Sequence, residues 1–282
     1  MRPPRAKKSL GQNFLVDEGF ARRIVGALAP RAEETIIEIG AGRGALTSLL
    51  VESAGRVVAV EFDRELVPIL RERFARRENF ALVEADALTL DFCSAIEPAE
   101  RARVVANLPY NISTAILQRL IEQRRCIAEM VLMLQREVVE RITAPPGSTE
   151  RGYLTVLVEA HYDAEALFDV PPGAFRPVPK VWSTIVRLRA RERQFVVSDD
   201  RLLWRIVSTG FAQRRKTINN NLRSAPDDLR ARIESAGGAG LVLETARVEP
   251  TRRAETLTLD EWVAIARSLE PARGVREGEE SD

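Results

Sequence analysis

Apolar residues in this chain come in two rhythms. Short unbroken runs alternate with stretches in which apolar positions recur every three or four residues. The unbroken runs are Thr35 to Gly40, Arg56 to Glu61, Phe80 to Asp86, Val104 to Asn107 and Met130 to Gln135. Rich in Val and Ile, they predict strands buried on both faces. Between them the helical rhythm predicts a helix capped by Asp17, with Phe20, Ile24, Val25 and Leu28 on one face and Pro30 beyond its end. Further helices are expected from Ala45 to the stop at Gly55, from about Arg64 to Arg76, and from a Ser113 or Thr114 cap to about Gln123. Such alternation predicts a parallel, doubly wound α/β sheet.

Farther along, a helix is predicted over 152–162. Two apolar runs, Ala166 to Val170 and Thr184 to Leu188, flank a stiff connection that contains Pro171, Pro172, Pro177 and Pro179 and holds Phe175. From about Arg189 the rhythm is helical only, with a break at Gly237 to Gly240 and a capping box at Thr258-Leu259-Asp260-Glu261. The reading is three parts: a sheet domain over 1–188, a small all-α domain over 189–270, and an acidic, disordered tail over 271–282.

Composition narrows the class. The 282 residues are 45% hydrophobic and 29% charged, as in a globular protein. No run reaches the length of a membrane span and no signal-peptide core follows the basic start, so a cytoplasmic protein is expected. Cys93 and Cys126 lie far apart outside any CxxC pattern, so neither a disulfide framework nor a zinc site is indicated. The one histidine, His161, falls in the helix expected at 152–162 and is read as structural, which removes histidine triads and HExxH metal chemistry. Net charge is only +1, but basic residues cluster over 1–31 and 187–223, a distribution that suits a polyanion.

The turn Gly40-Ala41-Gly42-Arg43-Gly44 joins a strand to a helix and lets a ligand approach the backbone closely. Glu61 follows Gly40 by 21 residues at the tip of the next strand, the spacing at which an acid meets ribose hydroxyls. Asp86 ends the third strand and can accept from an adenine amino group. Together they imply an adenosine-containing cofactor. Gly40, Gly42 and Ala45 match the NAD fingerprint formally. Glu38 two residues before the first glycine, the third glycine at Gly44, Asp86 and the next motif favour S-adenosylmethionine, and a dehydrogenase would also need an acid–base residue.

That next motif is Asn107-Leu108-Pro109-Tyr110. Pro109 forces Leu108 out of helical geometry, so the chain leaves the strand extended. The Asn107 amide, nearby carbonyls and the Tyr110 ring then suit a flat group bearing an amino nitrogen, although four residues of this kind also form ordinary loops.

With Lys8 to Leu15, Glu84 to Leu88, Phe175 to Val181 and Arg214-Arg215-Lys216-Thr217, the set resembles the KsgA/RsmA family of small-subunit ribosomal RNA adenine dimethyltransferases, from about Lys7 to about Leu269. Ala41 stands where many relatives have proline. The resemblance implies a Rossmann-like S-adenosylmethionine-dependent methyltransferase sheet with a small all-α C-terminal domain. It implies cofactor contacts at Gln12, Asn13, Leu15, Gly40, Glu61, Asp86 and Asn107. Catalytic roles would fall to Asn107, Leu108, Tyr110 and Phe175, with Tyr110 and Phe175 clamping the target base. Arg214, Arg215 and Lys216 are the expected RNA contacts, and no metal is expected. The implied activity is N6,N6-dimethylation of two adjacent adenosines in a hairpin loop near the 3′ end of 16S rRNA, by a monomer acting on an immature small subunit. Two alternatives stay open: an Erm-type methylase of large-subunit rRNA, and an assembly factor whose catalysis is secondary.

Overall fold

The computed structural model describes residues 4, 6–192, 195 and 197–270; the acidic tail lies outside them. The strands among the described residues are β1 Phe14–Leu15, β2 Thr35–Ile39, β3 Arg56–Glu61, β4 Phe80–Glu84, β5 Ala102–Asn107, β6 Ile127–Gln135, β7 Tyr162–Val170, β8 Phe175–Arg176 and β9 Ser183–Ala190. The helices are α1 Glu18–Leu28, α2 Thr47–Leu50, α3 Val67–Arg73, α4 Phe92–Ala95, α5 Ser113–Glu122, α6 Arg136–Ile142, α7 Tyr153–Glu159, α8 Asp200–Gly210, α9 Ile218–Arg223, α10 Asp227–Ser235, α11 Gly238–Thr245 and α12 Leu259–Ser268.

Seven strands form one sheet in the order β4-β3-β2-β5-β6-β9-β7. Strands β2 to β6 run parallel, as their unbroken apolar runs predict. Val57, Val58, Val104, Val105, Val131 and Leu132 are wholly buried, and each such side chain contributes about 1.5–3 kcal/mol. One strand departs from the all-parallel expectation: β9 is antiparallel to both β6 and β7, so β7 again runs in the direction of β2 to β6. The 182/183 segment re-enters the sheet from its carboxyl edge with no crossover α-helix after β7, and a direct return of that kind must reverse direction.

Local signals behave as chemistry dictates at the helix ends. Asp17 accepts the Phe20 N–H, and Thr258 and Glu261 close their reciprocal capping box. Helix α5 differs: it begins after Ile112 with no side-chain cap, and the Ser113 hydroxyl donates to the Tyr110 carbonyl. The expected helix over 152–162 ends at Glu159, and His161 is buried just ahead of β7. The glycine break narrows to Gly237, and Gly238 to Gly240 begin α11. Cys93 and Cys126 form a disulfide, against expectation. The short helix α4 and the turn Arg124–Cys126 bring together residues that sequence spacing keeps apart.

The chain divides into two compact units. One comprises residues up to Thr143 with His161–Glu192; the other takes Ala144–Ala160 with the described residues from Phe195 onward. A boundary at 188/189 thus misses the segment 144–160. Its Val156 and Ala160 belong to the helical core with Leu203, Ile206 and Trp262. Buried Arg151 donates to the carbonyls of Ala144 and Leu257 and pairs with Glu159 at 2.6 Å.

In β2, Glu38 is buried and accepts the Thr47 hydroxyl at 2.5 Å. Burial pushes its carboxyl up to about 8 from 4.5, so the folded chain holds a proton there that the unfolded chain releases. The resulting stabilisation is complete below pH 4.5 and disappears as pH rises through about 8. Glu38→Gln removes this titration. Thermal unfolding of the variant should lose less midpoint temperature than the parent between pH 6 and 9; parallel curves would refute the assignment.

Candidate active site

Strand β2 has β3 on one side and β5 on the other, so the sheet order reverses beside it. A crevice opens at such a point, at the carboxyl ends of the strands. Here it is a cleft of about 250 Å³ lined by the 9–14 segment and by the exits of β2, β3, β4 and β5. Ile39 pairs with Ala106 in adjoining strands, so Gly40 and Asn107 leave the sheet side by side. Gly40 adopts φ +73°, and a Cβ there would stand 3.8 Å from the Asn107 carbonyl oxygen.

Glu61 fixes the far wall and is only 6% exposed. Its Oε2 accepts the Gly42 N–H at 2.7 Å, and its Oε1 accepts the Asp63 N–H at 2.8 Å. Burial raises its pKa; the backbone N–H groups of Asp63, Gly42 and Phe62 oppose that rise. A carboxylate has about four lone-pair sites, so acceptor capacity remains for a ligand hydroxyl. Asp86 lies two residues past β4 and spends Oδ1 on the Leu88 N–H at 2.9 Å, which orients the carboxyl at the cleft.

Asp63 has no place among the expected site residues, yet it organises the segment that covers the cleft. It is 3% exposed. Lys7 Nζ reaches it at 2.6 Å and Gln12 Nε2 at 2.8 Å, while the Lys7 N–H donates to Gln12 Oε1 at 2.8 Å. Burial works to raise the Asp63 pKa, but hydrogen bonds from Lys7 and Gln12 outweigh it and hold the carboxyl below its usual value. The hydrogen bond to Asp63 in turn raises Lys7. The side chain of Gln12 is therefore committed to this network. No spacing or motif in the sequence links residues 7, 12 and 63, so this network carries no local signal.

Asn13 brings the strap to the β5 exit. Its carbonyl accepts the Asn107 Nδ2 hydrogen at 3.0 Å, leaving Oδ1 as the acceptor of the Asn107 amide. Leu108 is buried and Tyr110 lines the cleft, its hydroxyl 2.7 Å from Ser183 Oγ. Burial keeps the Tyr110 phenol protonated above its ordinary range.

Two expected contacts are not in the cleft. Leu15 and Phe175 are partners in the β1–β8 pair, 7% and 0% exposed, and both belong to the sheet unit's hydrophobic core. Phe175 is thus packed in the core and is not among the residues that line the cleft with Tyr110. An aromatic ring with no polar atom is held by the core, and the backbone pairing fixes it there. Phe62, on the cleft wall, is the exposed aromatic.

The basic stretch 187–223 is also more committed than its charge suggests. Arg187 and Arg189 approach Glu129, Arg191 pairs with Asp163, and Arg205 pairs with Asp228. Arg214 donates to the Thr149 and Arg151 carbonyls, while Arg215 and Lys216 are exposed in the turn between α8 and α9.

The donor set fits an adenosine with a cationic tail. Carboxylates at Glu61 and Asp86 would accept from hydroxyl and amino donors, and Ile39, Val60, Leu66 and Ile116 supply apolar walls. Among the described residues, no Arg or Lys side chain lines the cleft, so a diphosphate would face carboxylates without a counter-charge. Asp63→Asn should raise the Kd for S-adenosylmethionine about tenfold, the scale of a lost charged hydrogen bond. Lys7→Ala should give a smaller loss, and the double variant should be no weaker than Asp63→Asn alone. Calorimetric titration reads all three, and full additivity would sink the latch.

The model of the family described as ribosomal RNA adenine dimethylase matches residues 4–264. The Ribosomal RNA small subunit methyltransferase A of Saccharophagus degradans is 43% identical over 272 residues, covering 96% of this chain and 97% of that protein. The 23S rRNA methyltransferase ErmE superposes with a TM-score of 0.68 at 28% identity, covering 91% of this chain and 99% of ErmE. A dimethyladenosine transferase from Plasmodium falciparum gives 0.77 at 24% identity, over 89% and 95%, which supports the fold. With the acceptor-lined cleft at the β2–β5 reversal, these likenesses assign the chain to the ribosomal RNA adenine dimethylase family, S-adenosylmethionine-dependent methyltransferases acting on rRNA.

Proposed function

We propose that this chain dimethylates N6 of two adjacent adenosines in a hairpin loop near the 3′ end of 16S rRNA. It would act as a cytoplasmic monomer on an immature small subunit. The observation that carries the reading is the Asn107 amide, pinned by the Asn13 carbonyl with Oδ1 left to accept. The small subunit is favoured over the large because the full-length relatives named for it are 43% identical, against 28% for ErmE.

Adenine N6 is a weak nucleophile because its lone pair is delocalised into the ring. Asn107 Oδ1 and the Leu108 carbonyl accept its hydrogens and favour a pyramidal nitrogen. The Tyr110 ring supports the base, and its raised pKa keeps it a neutral phenol rather than a base. When bound, S-adenosylmethionine supplies an electrophilic methyl on a sulfonium. Glu61 would hold the ribose diol, Asp86 the adenine amino group, and Gly40 the close backbone approach. The methyl would pass to the N6 lone pair as its bond to the sulfonium is lost, and the N6 proton would leave to water. Orientation of this kind contributes several kcal/mol, and preorganised acceptors add to it. Phe175 and Leu15 serve from behind the site by anchoring the strap that carries Asn13. The target base must lie in a loop or be flipped out.

The helical unit is proposed to bind RNA through Arg215 and Lys216, with residues 189–270 as the core of that role. Arg215→Ala with Lys216→Ala should weaken RNA binding and flatten its dependence on salt by about 0.7–0.9 per lost phosphate contact. Adding Arg214→Ala should also lower the unfolding temperature, because Arg214 holds two carbonyls of its own unit. Unchanged RNA affinity in the double variant overturns the assignment.

Labelled S-adenosylmethionine, supplied with small subunits lacking the modification, should yield two adjacent dimethyladenosines by mass mapping. Asn107→Ala should slow transfer on the order of 10²-fold or more while still binding subunits. Label in large-subunit rRNA would instead favour the Erm-type reading. No transfer with binding retained would favour the assembly-factor reading.

A further inference from the structure

We propose that Trp182, with Arg136 against it, is a stacking platform for a nucleobase neighbouring the target adenosine; this rests on the RNA-methyltransferase reading above. The segment 178–182 exposes three large apolar side chains, Val178, Val181 and Trp182, and Trp182 is 47% exposed. A tryptophan left this open on a globular surface marks a contact site when polar groups frame it. Arg176 and Lys180 beside it are exposed as well.

The ring is held in place. The Arg136 guanidinium carbon lies 5.6 Å from its centroid, and the Arg136 N–H donates to the Trp182 carbonyl at 3.0 Å. Arg136 also pairs with Asp169, which accepts the Thr184 hydroxyl at 2.6 Å. The platform is therefore built at the carboxyl edge of the sheet, where β6 ends, β9 begins and β7 ends: Gln135 and Val170 both pair with Ser183.

Its location selects the occupant. Ser183, the next residue, shares a hydrogen bond with the Tyr110 hydroxyl at 2.7 Å. Strands neighbour one another at about 4.8 Å, so Ile185, level with Asn107 through Met133, stands about 10 Å across the sheet, and Trp182, three residues nearer the carboxyl edge, lies about 14 Å from Asn107. A chain whose target base enters beside Tyr110 carries its neighbouring nucleotides over this edge. Single-stranded RNA is bound by aromatic rings and arginine planes that stack on unpaired bases, with nearby cations for its phosphates. Trp182, Arg136 and Lys180 supply those three elements within one short stretch of surface.

The test compares Trp182→Ala, Trp182→Leu and Trp182→Phe in methyl transfer to small subunits lacking the modification. The Ala and Leu variants should raise KM for subunits about tenfold or more, the loss expected for one stacked base. The Phe variant should stay near the parent, because a ring is what stacks. Across all three, kcat and the Kd for S-adenosylmethionine should hold within twofold. Ultraviolet cross-linking of the parent to those subunits should join the Trp182 peptide to a nucleotide within two positions of the modified adenosines. An unchanged KM, equal behaviour of Leu and Phe, or a cross-link to a ribosomal protein overturns the platform. If the parent itself methylates no rRNA, the functional reading fails instead, and the two failures are distinguished by that control.

Discussion

One buried carboxylate ties the cleft together. Glu61 ends β3, yet its two oxygens close a loop belonging to β2, through Gly42, and its own loop, through Asp63. Through Asp63 the same network reaches Lys7 and Gln12. Three segments far apart in sequence are thus registered on one side chain. Burying a charge is costly unless hydrogen bonds compensate, and here the compensation is the architecture: the N–H groups that satisfy Glu61 are those whose positions define the walls. Gly42, at φ +59°, can present its N–H there because it carries no side chain.

The parallel half of the fold was legible because burial on both faces leaves a plain mark, an unbroken apolar run. The glycine turn, Glu61, Asp86 and the Asn107 to Tyr110 exit were legible for a related reason. Each sits at the end of such a run, and strand ends at a sheet reversal are where ligands bind. The antiparallel β7 and β9 were less so. Strand β7 is only partly buried and alternates weakly, and its first residue, Tyr162, continues the helical rhythm of α7. What the sequence conceals most is pairing across distance. Nothing in the spacing of Cys93 and Cys126, of Lys7 and Asp63, or of Arg187 and Glu129 announces that the fold makes them neighbours.

Phe175 illustrates how a residue can matter to a site without entering it. Its ring is in the core, and its backbone pairs with Leu15 in the two-residue ladder of β1 and β8. Asn13 lies immediately before that ladder and gives its carbonyl to Asn107. Apolar burial of Phe175 and Leu15 thus pins one end of the strap, while the Lys7–Asp63 ion pair pins the other. The first anchor is indifferent to salt and pH; the second is not. The two ends of one short segment are consequently held by different physics, and the cofactor-facing residues lie between them.

Dimethylation places a constraint on the acceptors that monomethylation does not. An unmodified adenine amino group offers two hydrogens, and after one transfer it offers one. A site whose acceptors were positioned only by the substrate would lose its geometry at the second step. Here the Asn107 amide is oriented by the Asn13 carbonyl rather than by its ligand, so Oδ1 keeps its position whichever hydrogen remains. The Leu108 carbonyl is backbone at the end of a five-strand parallel array and is equally indifferent to occupancy. Around them Pro109 and Tyr110 are uncharged, and a methyl group displaces no ion. In the proposed mechanism, preorganisation by the protein's own hydrogen bonds, rather than by the substrate's, is what would let one site accept two successive forms of the same nitrogen.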